Sequence, residues 1–271
     1  MNRLEKQMVE QLIDLRENHH VVGVKAEFEA EGTRLEEALR LKEVITKAGL
    51  DLTIKIGGCE ALKDFFDARS IGVTHIVGPM IESAYALKKY LSSAKTAFQG
   101  EEFDSVKFLV NIETITAAES IEDILSRYPL DGLSGIVIGR VDLTGSMGLT
   151  RENVNDDNLF EICNKIVTLA RSKGLDVVVG GGVSKETIPF LRRFAPGSIA
   201  RYETRKVIFG CPAALEDGYD KGILKAVGFE LMWLKNKRDF YGQIYKEDMT
   251  RIEMLEKRYK GLIEEAGGQV E

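Results

Sequence analysis

The chain has 271 residues, 44% of them hydrophobic and 30% charged, which is enough apolar material for one large core of the size that α/β barrels reach as single domains. Its net charge of −6 is carried by interleaved acidic and basic residues, which argues against a nucleic-acid or anionic-membrane footprint and leaves small molecules and further copies of the chain as expected partners. No stretch approaches the roughly 18 uninterrupted apolar residues of a membrane span, and the charged segment 1–20 does not read as a signal peptide. Cys59, Cys163 and Cys211 are too far apart for a disulfide framework or a structural zinc site. A cytoplasmic protein with reduced thiols is expected.

Taken in chain order, short β-branched apolar runs alternate with longer amphipathic stretches, the pattern of repeated βα units around a parallel sheet. Strands are expected at 21–29, 52–56, 75–79, 106–113, 135–139, 177–180 and 199–203, with helices over 35–45, 61–69, 117–127, 159–173 and 185–194. The fold class is therefore α/β, a TIM-type (β/α) barrel. Seven strands are one short of closure. Either one strand has a weak signal, or the segment 3–16 replaces part of an irregular first unit.

After Gly222 the pattern becomes a charged, helix-forming tail in which Ile252, Leu255, Tyr259 and Leu262 recur at three- and four-residue steps. Two regions are thus expected: a barrel over 1–222 that includes the N-terminal helix, and a helical extension over 223–271. The apolar stripe of the extension needs cover, from its own barrel or from another subunit. A homo-oligomer is expected.

Barrel active sites are built at the C-terminal ends of strands, so reactive side chains at those ends carry the functional reading. Glu113 closes the fourth run and Asp142 follows the fifth. Two carboxylates at neighbouring mouths repel unless they bind a cation or share a proton, and hard oxygen donors suit Mg²⁺ or Mn²⁺. The competing expectation has Asp142 capping a helix and Glu113 pairing with a basic neighbour.

The segments Val110-Asn111-Ile112-Glu113-Thr114 and Ile138-Gly139-Arg140-Val141-Asp142-Leu143-Thr144-Gly145-Ser146-Met147-Gly148, preceded by Val77-Gly78-Pro79-Met80-Ile81, resemble the HpcH/HpaI aldolase and citrate lyase β-subunit superfamily. The resemblance spans roughly residues 21–209. It implies that Glu113 and Asp142 bind a divalent metal that chelates a keto acid, and that Lys55 stands where family members place an arginine near the substrate. Lysine supplies the charge without the bidentate fork. The family's Asp and His proton-transfer pair has no counterpart in Lys25-Ala26-Glu27-Phe28-Glu29, and His19, His20 and His75 all fall at strand beginnings. Strand alternation would put Lys25, Glu27 and Glu29 on one inward face. Glu27 or Glu29 is then an alternative base, or else part of a charge lattice around Lys25.

Lys25, Lys55, Arg140, Arg201, Arg205 and Lys206 gather in or after the later parts of strands, which favours a polyanionic substrate; the competing expectation is that several of them, Arg205 and Lys206 above all, pair with Glu203 and other surface acids. Gly57-Gly58 and Gly180-Gly181-Gly182 precede helices whose amides could hold an anion. The expected activity is a metal-dependent carbon–carbon lyase or synthase of the aldolase type, with an enolate from phosphoenolpyruvate, pyruvate or oxaloacetate and a carbonyl acceptor. Phosphoenolpyruvate is favoured because it needs no proton abstraction. Lys25, Glu27, Glu29 and Lys55 are the catalytic candidates; Arg140, Gly57, Gly58 and Arg201 are the substrate-binding ones. The competing readings are a phosphate-binding barrel isomerase that grips phosphate at the triple glycine, and a non-catalytic relative that binds a metabolite.

Overall fold

Residues 1–268 are described by a computed structural model of the chain. The apolar runs form eight strands: β1 (Val21–Glu27), β2 (Asp51–Lys55), β3 (His75–Gly78), β4 (Lys107–Ile112), β5 (Leu133–Gly139), β6 (Asp176–Gly180), β7 (Arg201–Glu203) and β8 (Val207–Gly210). They close in sequence order into one TIM-type barrel. The first seven pair in parallel, whereas β8 runs antiparallel to both β7 and β1. This is the strand missing from the sequence reading. It follows β7 through the tight turn 204–206, where the Thr204 amide donates to the Val207 carbonyl at 2.9 Å. Without an intervening helix, the βα alternation gives no sign of it.

The N-terminal segment does not replace a barrel unit. It forms α1 (Arg3–His19), which starts at a capping box: Asn2 accepts from the Glu5 amide and Glu5 accepts from the Asn2 amide, each at 2.8 Å. The buried Glu5 carboxylate then pairs with Arg40 at 2.5 Å, fixing α1 against α2 (Leu35–Ala48). The remaining helices of the barrel are α3 (Leu62–Ile71), α4 (Ala84–Ala97), α5 (Glu101–Ser105), α6 (Ile115–Glu119), α7 (Ile121–Ile124), α8 (Arg140–Ser146), α9 (Asp157–Ser172) and α10 (Ile188–Leu191).

Strand alternation sorts the core into two layers. Val24, Ala26, Ile54, Ile76, Val110, Ile136 and Val177 are fully buried on the face that helices cover in such barrels. Val77, Leu109, Val137 and Val178, one from each of β3 to β6, cluster inside the barrel. Burying each such side chain contributes roughly 1.5–3 kcal/mol. Because this layer fills the interior, a ligand must sit above it, where the strands end.

Helix α11 (Tyr219–Glu265) begins just before the composition change at Gly222. The chain divides later, into one compact unit at Met1–Glu230 and a second from Leu231 onward. Among the described residues, no helix is long and apolar enough to cross a membrane.

Candidate active site

Leu109, Asn111 and Glu113 occupy alternate positions along β4 and its end, so all three face inward above the apolar layer. Glu113 is 1% exposed and held from three sides. The Met80 amide donates to Oε1 at 3.0 Å, Asn111 Nδ2 donates to Oε2 at 2.5 Å, and Lys55 Nζ lies 3.3 Å from Oε2. Gly139 makes room for it: a Cβ there would stand 2.7 Å from both Cβ and Oε2 of Glu113. Met80 takes a positive φ of 47°, which is strained for a residue with a side chain, and its amide points at Glu113. Asn111 Oδ1 is buried without a partner.

Asp142 lies in the first turn of α8, which follows β5 directly. Partial burial and then the nearby Glu113 charge raise its carboxyl above the ordinary aspartate range; Lys55 opposes that rise. Lys55 also lies 2.8 Å from Glu29 Oε2. Burial would depress this ammonium, but Glu113 and Glu29 more than offset it and keep it charged.

Lys25 is the centre of a second cluster, 2.6 Å from Glu203 Oε1 and 3.1 Å from Glu27 Oε1. Burial would lower its pKa, yet the two carboxylates raise it above the usual lysine value. Glu27, despite its own burial, is held below the ordinary glutamate range by Lys25. Gly180 gives Glu203 its space, since a Cβ there would come within 2.9 Å of Glu203 Oε1. The loop after β1 supplies Glu31, which pairs with Lys206 and, at 3.3 Å, with Arg205. Glu29 lies in this turn rather than on β1, so it reaches Lys55 from above the strand end instead of along the inward face expected for it.

The structure thus brings Lys25, Glu27, Glu29, Lys55, Glu113 and Asp142 to one mouth. It does not bring Arg140, Arg201 or Gly57 there as free groups. Arg140 is fully buried, with its guanidinium donating to the carbonyls of Gly180, Val154 and Gly181 and to Asn155 Oδ1 at 2.8–3.1 Å. Burial lowers its pKa to about 10. It braces the triple-glycine turn, where Gly181 needs its φ of +78° and a Cβ would strike the Arg140 and Val141 amides. Arg201 opens β7 at the opposite end of the barrel, 2.8 Å from His75 Nε2 and 3.6 Å from Asp176. The Gly57 amide is taken by Asp64 Oδ2 at 2.7 Å, and Gly58 accepts from the Ala61 amide.

The expected surplus of positive charge is therefore absent. Lys25, Lys55, Arg205 and Lys206 are each paired with carboxylates, and with Asp142 added the acids outnumber the bases. Among the described residues, no group of three His, Cys, Asp or Glu side chains is arranged to hold a metal. A cation here would rest on Glu113, Asp142 and the free Asn111 oxygen. The roles of Asn111 and Met80 were not read from the sequence; Glu203, expected among the acids that pair with Arg205 and Lys206, takes Lys25 instead, and Glu31 takes those two. The glycines opposite Glu113 and Glu203 are the signal that could have found the two carboxylate sockets.

A barrel whose C-terminal mouth gathers buried carboxylates and lysines above a sealed apolar floor has the architecture of a (β/α)-barrel enzyme. The model of the HpcH/HpaI aldolase/citrate lyase family matches residues 30–188, and the chain belongs to that family. The match includes Lys55, Glu113 and Asp142 and leaves out Lys25, Glu27, Glu29 and Glu203. Among solved structures, the chain is similar to the citrate synthase SbnG, with a TM-score of 0.59, 15% identity, and coverage of 86% of this chain and 90% of that one. It is likewise similar to an HpcH/HpaI aldolase/citrate lyase family protein from Burkholderia cenocepacia J2315, with a TM-score of 0.59, 11% identity, and coverage of 88% and 90%. At these identities the structural likeness speaks to the fold. No curated protein matches the sequence significantly. Family membership supports an aldolase- or lyase-type activity on small keto acids in a family whose members are generally divalent-metal dependent.

Proposed function

We propose that the chain is a divalent-metal-dependent carbon–carbon lyase or synthase that works through the enolate of a keto acid of the pyruvate or oxaloacetate type. The observation that carries this reading is the socket of Glu113 beside Asp142. Two carboxylates stand at adjacent strand ends, the second raised by burial and then by the charge of the first, with an unpartnered buried amide oxygen beside Glu113. This donor set fits a hard cation such as Mg²⁺ or Mn²⁺. When bound, such an ion supplies Lewis-acid stabilisation of negative charge on a substrate oxygen.

The chain's own residues divide the remaining work. Lys55, held charged between Glu29 and Glu113, orients the anionic end of the substrate. Glu29 stands at the mouth to take a proton from the carbon next to the keto group. Glu27 is held charged, below the ordinary glutamate range, by Lys25, which makes it a poor base. Phosphoenolpyruvate loses its advantage as donor, because the cations expected to hold its phosphate are already paired and Arg140 is spent on backbone carbonyls. In the triple-glycine turn the carbonyls of Gly180 and Gly181 are held by the Arg140 guanidinium.

Exchange of the pyruvate methyl protons in deuterated water tests the proposal without knowledge of the acceptor. Exchange followed by NMR should require Mg²⁺ or Mn²⁺ and fall at least about 100-fold in Glu29→Gln, the scale of a general base. Binding of pyruvate with no exchange, and no cleavage of oxaloacetate, would identify a metabolite-binding protein instead.

A further inference from the structure

From Leu231 to Glu265 helix α11 runs on for roughly 50 Å at about 1.5 Å per residue. Leu231, Leu234, Tyr245, Ile252, Leu255, Tyr259 and Leu262 are all exposed along it, Leu255 at 52% and Tyr259 at 66%. Helices in proteins draw most of their stability from packing one apolar face against a partner, and this helix leaves its apolar face open. The spacing of these residues is specific. Written as a heptad, Leu231, Arg238, Tyr245, Ile252 and Tyr259 fall at position a, and Leu234, Tyr241, Asp248, Leu255 and Leu262 at position d. Leu224 and Val227, earlier in the same helix and also exposed, keep the register.

We infer that this face is a dimerisation seam and that its occupant is the same helix of a second copy, lying parallel and in register. Charge decides both the partner and the direction. In a parallel pair, position g of one helix faces position e of the next heptad on the other. The charged combinations are then Glu230 with the second copy's Lys235 and Arg251 with its Glu256, both attractive, while Ile244 meets Met249. An antiparallel pair that aligns Leu231 with Leu262 would instead oppose Glu230 to Glu265 and Lys237 to Arg258, both repulsive, against one attractive pair, Lys235 with Glu256, so the parallel arrangement carries the better balance of charge. Arg238 and Asp248 interrupt the seam at one a and one d position, a feature that lowers stability but fixes register.

Cysteine cross-linking of the full chain tests this. Leu255→Cys places a thiol in the seam, and Lys257→Cys places one on the opposite, outward face two residues away. Mild oxidation should give about ten-fold more reducible dimer from the first, because only there do the two Cβ atoms come within disulfide range. The unsubstituted chain, with its own three cysteines, should give none. Equal yields at the two sites, or no dimer from Leu255→Cys, would overturn the parallel seam.

Discussion

Replacing Gly139 with alanine adds one methyl group at the most crowded point of the proposed site. The new Cβ would lie 2.7 Å from Cβ and Oε2 of Glu113, where non-bonded carbons settle near 3.5–4.0 Å. Because Glu113 Cβ is fixed to the backbone, either β4 and β5 must part or the carboxylate must leave its socket. Gly139 has a φ of −89°, which any L-residue adopts, so the cost is steric. Overpacking of this kind costs about 1–3 kcal/mol, and partial loss of the bonds from Met80 and Asn111 to a charged acceptor adds about 1.5–3 kcal/mol. Urea unfolding of Gly139→Ala should therefore show a loss of about 3 kcal/mol. Divalent-ion affinity should fall about ten-fold or more, since 1.4 kcal/mol is a factor of ten. Gly145→Ala is the control: a Cβ there meets nothing within 4 Å, and alanine is the better helix former. If Gly139→Ala unfolds at the same urea concentration as the parent chain and binds the ion equally well, the socket is not built as described.

Arg140→Met should destabilise the chain by about 3–5 kcal/mol in urea unfolding, because it strands the carbonyls of Val154, Gly180 and Gly181; unchanged stability with weakened substrate binding would instead make Arg140 a ligand contact. His75 is held near 4 by burial and then by Arg201, against about 6.5 in the unfolded chain. The unfolded chain therefore binds the extra proton between those values, and stability should fall by about 3 kcal/mol as pH drops from 6.5 to 4. Urea midpoints of His75→Gln across that window should lose most of this slope. Lys25→Met leaves Glu27 and Glu203 buried as like charges, so a loss of about 3–5 kcal/mol is expected at neutral pH. That loss should shrink as the carboxyls protonate in acid, a trend that pH-dependent unfolding would reveal.

The barrel was legible because each of the first six strands is a largely apolar run followed by helix. β8 escaped because four residues joined to β7 by a tight turn carry no such rhythm. Glu113 and Asp142 stood out through their positions at strand ends. The pairing of charges did not, since Lys25 meets Glu203 across 178 residues of sequence and Lys55 meets Glu113 across 58. A run of cations at strand ends reads as a polyanion site until the acids that fold back onto it are seen. Arg140 misled for a related reason. A sequence places it at the mouth but does not show its side chain turning inward to carbonyls that exist as acceptors only once the glycine turn has formed.

Calorimetric titration of Mn²⁺ into the parent chain, Glu113→Gln and Asp142→Asn asks whether the two carboxylates share one ion. One ion per chain is expected for the parent, with affinity falling about 100-fold or more in each variant, since even the groups that only orient a metal's ligands are worth about 10- to 100-fold. Retention of parent affinity by both variants would contradict the shared site and with it the metal-dependent reaction.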